Sequence, residues 1–466
     1  MTSEPRPPAL PDASTRRAVL LAATLGSFLT PFMGSAVNIA LPVIGREFEA
    51  DAVLVSWVSA SYLVAAAMSL VPLGRLADIR GRKRVFLLGV LVYTASSGLL
   101  AAVPSIGPLI ALRVLQGVGG AMVFGTAVAI VTSVYPVGDR GRVLGVNVAA
   151  VYLGLSLGPF LGGLLTEHLG WRSIFAVNAL LGLATTVVVI AWLRGEWAEA
   201  RGERFDVWGA LFYGATVLAV MLGLTRIPSP SGGWLLFAGV AGLGALLWWE
   251  RRVDYAVLDT SLFRTSRVYL FSNLAALASY SATAAVAFLL SFYLQCVHGL
   301  TPQTAGLVLV AQPVVMCALS PFAGRLSDVL ESRTVASAGM AVTVVSLLLF
   351  ASLDEGTGIP FVVLGLAILG LGLALFSSPN MNAVMSSVGK RHYGVASATL
   401  GTMRLVGQML SMGVAMLVIS SIVGRVQITP ERIPEFLRAS RVVFSVSAGV
   451  CFAGVFASLA RGRVRP

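Results

Sequence analysis

GRLADIRGRKR, residues 74–84, lies between two long apolar runs, and GRLSDVLESR, residues 324–333, repeats its opening between two others. In both, a glycine starts a short basic turn and an aspartate follows on the same turn, Asp78 in the first and Asp328 in the second. A glycine-rich, basic stretch this short can only join two antiparallel rods. The rods must be long, because the flanking apolar runs are of a length that crosses about 30 Å of hydrocarbon as helix. One such turn would be a hairpin. Two of them, in matching places along the chain, indicate a duplicated bundle.

Composition requires a lipid environment. Of 466 residues 57% are apolar and only 12% charged, with a mean hydropathy of +0.86. Soluble domains carry about twice that charge. In lipid each backbone group must be satisfied within its own segment, so the spans are helices. Fourteen are expected, at 18–42, 53–74, 85–104, 107–135, 143–165, 173–193, 207–226, 233–249, 269–295, 303–323, 334–353, 358–387, 394–423 and 441–460. If the two glycine-aspartate turns follow equivalent helices, spans 1–6 and 9–14 are the repeated halves. The domain plan is then a tail at 1–17, a six-helix bundle at 18–193, two linker helices with their loops at 194–268, a second six-helix bundle at 269–460 and a tail at 461–466. The fold class is an all-α polytopic membrane protein.

The net charge of +12 is dispersed over short loops rather than gathered in a patch, which argues against nucleic acid. With the N-terminus inside, 24 of the 33 arginines and lysines fall on the inner side and 7 on the outer. That bias orients the chain with both termini cytoplasmic, in a plasma or inner membrane. Arg16-Arg17 before an apolar run resembles an export signal, but the run is too long and continues into further spans. Three unpaired cysteines, Cys296, Cys317 and Cys451, suit neither a disulfide framework nor a metal site. Three scattered histidines, no HExxH and no nucleophile–base pair exclude an enzyme, and no GxxxxGK[ST] loop is present to bind ATP. No cofactor and no metal are expected, and one chain that holds both halves is expected to work as a monomer.

Three further segments carry chemistry. In LIALRVLQGVGGA, residues 109–121, Arg113, Gln116, Gly117 and Gly120 share one helical face. An arginine in hydrocarbon costs about 3 kcal/mol or more, so it needs a function or an escape to the interface. Arg404 in GTMRLVG, residues 401–407, is the second such charge. In GLSLGPFLGG, residues 154–163, Gly154, Gly158 and Gly162 repeat every fourth residue beside Pro159 and Gly163, a stripe for close helix approach with a bend. SAVNIALPVI, residues 35–44, ends the first span. Polar residues able to line a central cavity include Asn38, Tyr62, Asn147, Asn273, Gln312 and Asn380, with Met33 among the apolar wall residues.

Taken together, these four segments resemble the major facilitator superfamily, and most closely its fourteen-helix drug:proton antiporter branch, over essentially the whole chain. The resemblance implies the major facilitator fold, two six-helix bundles around a pair of linker helices, rocking about a midplane site. It assigns Gly74, Asp78, Gly81 and Arg82, with Asp328 and Arg333 in the repeat, to a cytoplasmic latch. It links Arg113 and Gln116 to proton coupling, and Gly154, Gly158, Pro159, Gly162 and Gly163 to exporters rather than importers. The implied activity is export of drugs or other lipophilic metabolites against protons. One departure stands out: the branch has an aspartate where this chain has Met33. With all 21 acidic residues in loops or at span edges, proton exchange would pass through Asp78 or the Arg113 region. The alternative is selective transport of an anionic metabolite with weak or no proton coupling, held by Arg113 and Arg404.

Overall fold

A computed structural model describes residues 12–135, 137–226, 229–250, 252–253, 261–388, 393–424 and 426–462. Among the described residues fourteen helices are long and apolar enough to cross a membrane: Ser14–Glu47 (α1), Ala52–Arg80 (α2), Arg82–Leu100 (α3), Ile106–Val134 (α4), Ala149–Leu169 (α5), Arg172–Trp192 (α6), Val207–Arg226 (α7), Pro230–Glu250 (α8), Arg267–Val297 (α9), Pro302–Ser327 (α10), Ser332–Ala351 (α11), Ile359–Ser386 (α12), Val395–Ile422 (α13) and Pro430–Ala460 (α14).

Helix ends follow local chemistry. Asp12 caps α1 by accepting from the Thr15 amide, Asp51 caps α2 from Leu54, and Thr301 caps α10 from Thr304 with Pro302 in its first turn. Hydrogen bonds, first from Ser14 and then from Thr15, hold the Asp12 carboxyl down at about 2. Between α2 and α3 a single residue turns the chain: Gly81 sits at φ +117°, a conformation that side chains rarely adopt. Several helices run past the expected spans. α1 reaches Glu47 and α2 reaches Arg80, because polar terminal turns are as helical as the apolar middle although hydropathy cannot register them. α9 is not uniform: its regular turns are interrupted at Ala284, and it ends in a π-helical turn, Tyr293–Val297.

The helices pack as a repeated pair. In the first half α1 lies on α5 and α6, α2 on α4, and α3 on α4 and α6; in the second α9 lies on α13 and α14, α10 on α12, and α11 on α12 and α14. The halves touch through α2 against α13 and its counterpart, α5 against α10. α7 and α8 pack on each other, and α7 bridges α2 and α13. Large apolar side chains face outward along α6 (Leu180, Val187, Ile190), α8 (Trp234, Phe237) and α14 (Phe452, Phe456). An outer surface of this kind belongs against lipid, not water.

Candidate functional site: a cavity between the halves

A cavity of about 2410 Å³ lies between the two six-helix groups. Its lining runs from Asn38, Ser59, Tyr62, Arg113 and Met412 in the middle of the helices to Gly74, Asp78, Arg82, Glu199 and Glu250 at the end of the bundle that carries Gly81. Among the described residues no loop residue of the opposite end, near Gly170, lines it. There the halves are drawn together. Gln295 donates to the Ile39 carbonyl at 2.8 Å, the Ala52 amide to Val426 at 3.2 Å, and the Gln303 amide to Glu167 at 3.1 Å.

The glycine stripe builds this closure from both sides. A Cβ on Gly154 would stand 2.7 Å from the Phe28 carbonyl oxygen, and one on Gly162 2.7 Å from the Ala36 Cα, so α1 and α5 meet backbone to backbone. Gly158 packs against Ser35 and Phe32 in the same seam. Gly163 faces α10 instead, where its Cβ would meet Pro302, and Gly306 of α10 sits against the Pro159 carbonyl. One short motif therefore packs a half internally and joins it to the other half.

Arg113 does not escape to the interface. It is 1% exposed, its Nε donates to the Val58 carbonyl at 2.9 Å, its Nη1 donates to Gln116 Oε1, and its guanidinium lies 4.5 Å from the Tyr62 ring. Gln116 in turn donates to Ser97 Oγ at 2.7 Å, and Ser97 to the Tyr93 carbonyl. The Tyr93 hydroxyl donates to Leu29 and receives Asn178. This chain of bonds ties α1, α2, α3, α4 and α6 together, and Gln116, which does not line the cavity, is part of the tie. Arg404 is different. It is half-buried, lines the cavity, and lies 5.9 Å from the Phe124 ring and 5.7 Å from the Tyr280 ring.

Of the polar candidates, Asn38, Tyr62, Asn147, Gln312 and Asn380 line the cavity. Asn38 accepts from Ser59 at 2.9 Å and Asn380 donates to Ser272 at 3.2 Å. Asn273 does not line it: fully buried, it donates to the Tyr269 carbonyl of its own helix, the preceding turn being the nearest acceptor. Met33 is also misread as a wall residue. α1 turns Ser27, Thr30, Gly34, Ser35 and Asn38 to the cavity, and Met33, 0% exposed, points into the apolar core on the other side. Met33→Asp is therefore expected to lower the melting temperature of the purified protein by several degrees rather than to confer dependence on a pH gradient, because it buries an unpaired carboxyl. Thermal unfolding in detergent and gradient-driven flux in liposomes distinguish the two outcomes.

At the Gly81 end, Arg82 pairs with Asp78 at 2.8 Å and Glu199 at 2.7 Å and reaches Ser133. Gly74 opens on empty space. Three glutamates of the segment joining α6 to α7 hold this turn: Glu196 accepts from the Lys83 amide at 2.9 Å, Glu199 binds Arg82, and Glu203 binds Arg75. The backbone adds bonds from Arg82 to Trp197 and from Ala200 to Asp78. A Cβ at Gly81 would collide with Glu196. The sequence offered a signal for this strap, since Glu196, Glu199 and Glu203 gather in one hydrophilic break that the charge bias puts on the same side as the strongly basic turn. In the second half Arg333 is half-buried, and neither it nor Arg325 makes an ion pair among the described residues. The Asp328 side chain lies outside the described residues. Glu250 stands at a span edge, where the acidic residues were expected: it closes α8, is 6% exposed and lines the cavity.

Similarity to known proteins agrees with this geometry. The riboflavin transporter RibZ of Clostridioides difficile is 28% identical over 440 residues, covering 94% of this chain and 95% of that protein. The multidrug resistance protein Stp of Mycobacterium tuberculosis is 31% identical over 412 residues, covering 86% and 75%. Among solved structures, a bacterial homologue of the human lysosomal transporter Spinster, in an inward-facing and unoccupied conformation, superposes with a TM-score of 0.71 at 14% identity, over 97% of this chain and 98% of that one. The sequence model of the Major Facilitator Superfamily matches residues 23–248 and 271–466. Twelve apolar helices in two matching groups around a one-sided cavity, with a further pair between them in sequence and that match across both groups, mean that the chain is a membrane transporter, not an enzyme, and belongs to the Major Facilitator Superfamily.

Proposed function

We propose that this transporter exports lipophilic small molecules by alternating access, in exchange for protons, from the cytoplasmic side of a cell membrane. The observation that carries the reading is the one-sided cavity: wide at the Gly81 end, closed at the Gly170 end by contacts that can separate without breaking any helix. The excess of arginine and lysine on the loops of the Gly81 end supports a cytoplasmic mouth, with both termini on that side. A site near the midplane between repeated halves suits rocking of one half against the other. The mainly apolar walls, with scattered amide and hydroxyl groups, suit lipophilic molecules, and relatives named for multidrug resistance point the same way. Both halves belong to one chain, so a monomer suffices. The test is flux in sealed liposomes, with and without a proton gradient, across cationic, neutral and anionic dyes. Gradient-stimulated movement of at least one dye class is expected; no movement of any class would overturn the reading.

Glu250 is the residue we assign to proton exchange, in place of Asp78 or the Arg113 region. Glu250 is a carboxylate buried on the cavity wall, whereas the Asp78 side chain is 35% exposed and Arg113 carries no carboxylate. Glu250→Gln is expected to reduce the stimulation by a pH gradient at least about tenfold while counterflow of substrate persists. Unchanged stimulation would remove Glu250 from the pathway.

A further inference from the structure

We propose that Arg404 is the anion anchor of the cavity, and that the molecule it holds is an aromatic organic anion, a planar ring system bearing a carboxylate or phenolate. The inference rests on the export reading above and deepens it by naming the substrate class.

The contrast between the two cavity arginines carries the argument. Arg113 is enclosed and donates to Val58 and Gln116, so its charge is already spread into the protein. Arg404 lines the same cavity, half-buried, and no described residue accepts a hydrogen bond from its guanidinium or brings a carboxylate within pairing distance. A half-buried guanidinium without a counter-ion favours an anion in front of it. The acidic residues of the cavity wall, Asp78, Glu199 and Glu250, stand at the Gly81 end, two of them paired with Arg82. Nothing negative offsets Arg404 at its own depth, so a cationic ligand is disfavoured there.

What surrounds Arg404 is aromatic. Phe124 comes from the first half and Tyr280 from the second, each within 6 Å of the guanidinium, at 5.9 and 5.7 Å. Two rings beside a charge suit a ligand whose anionic group is attached to a ring, since stacking and charge pairing can then be made together. Polar substituents also have a partner. Asn147, 3% exposed on the cavity wall, leaves both amide atoms without a partner among the described residues. Because Phe124 and Tyr280 belong to opposite halves, a ligand seated between them is gripped by both.

The test uses one ring system with three charges: anthracene carboxylate, anthracene methanol and an anthracene-methyl ammonium. Binding to the purified full chain in detergent is followed by anthracene fluorescence, and movement by uptake into liposomes. The wild type is expected to bind the carboxylate about tenfold more tightly than the alcohol, and the ammonium most weakly. In Arg404→Gln the ratio of carboxylate to alcohol affinity falls to about unity, and in Arg404→Lys part of it returns. A wild type that binds all three alike, or prefers the ammonium, overturns the proposal, as does an Arg404→Gln variant that keeps the preference. If Arg404→Gln does not yield a folded protein, the wild-type charge series decides alone. Failure of all three probes to bind or move would remove the export reading as well, whereas movement without charge preference removes only this inference.

Discussion

Gly306→Val is expected to abolish net transport, lowering flux in liposomes by at least about tenfold. Gly306 rests on the Pro159 carbonyl, with the Gly163 Cα 3.6 Å from where its Cβ would stand. α5 and α10 meet here without an intervening side chain, and the opposing atoms are backbone, which cannot rotate aside. Forcing a branched side chain into such a contact costs about 1–3 kcal/mol. That cost falls only on the conformation in which the Gly170 end is closed. A shift of 1.4 kcal/mol changes a two-state ratio about tenfold, so the equilibrium moves toward the conformation open at that end and the cycle stalls. Packing within each half is untouched, so thermal stability should change little. A cysteine at Gln303, beside Glu167 and His168 in the closed end, should label faster with an impermeant maleimide in the Gly306→Val background. Normal flux with unchanged labelling would show that this contact is not the closure.

Arg113→Ala should have the second largest effect, and it should appear in stability before it appears in substrate handling. The substitution leaves the buried Gln116 Oε1 without its donor, removes the side-chain donor from the Val58 carbonyl and opens a void under Tyr62. Leaving buried polar groups unsatisfied costs about 1–3 kcal/mol, and a void adds to it. A fall of several degrees in melting temperature is expected, with flux falling alongside. Arg113→Lys should recover little, because a point charge cannot reach Val58 and Gln116 as a planar fork does. A variant that melts like the wild type yet fails to respond to a pH gradient would return Arg113 to the proton pathway.

How much of this was legible in the sequence depended on the kind of information each feature needs. The fourteen helices were legible because length and hydropathy alone decide them, and the repeat because GRLAD and GRLSD recur in matching places. Facing was legible only in part: Ser27, Thr30, Gly34, Ser35 and Asn38 recur every three or four positions along α1 and mark its cavity side, which leaves Met33 on the core side. Asn273 lies off the cavity because its amide nitrogen is taken by the Tyr269 carbonyl of its own helix, a bond that sequence does not distinguish from one to a ligand. Arg113 and Arg404 looked alike as charges in apolar context, and only tertiary structure separates an arginine bonded to Val58 from one left between two rings. The place of Glu250 on the cavity wall was hidden because a residue at a helix end reads as a loop residue, although the cavity extends to that end of the bundle.

The strap over Gly81 bears on how the molecule moves. Each of its carboxylates is partly open to water, Glu199 being 69% exposed, so every pair taken singly is weak; several acting together, with two backbone bonds, brace the leaf of the mouth formed by the first half. On the matching leaf neither Arg325 nor Arg333 makes an ion pair among the described residues. Swinging the mouth shut would then resemble a door meeting a fixed jamb, with the second half travelling and the first standing still. Distances measured by paired spin labels should change more for positions near Arg333 than for positions near Arg84, each taken against α7.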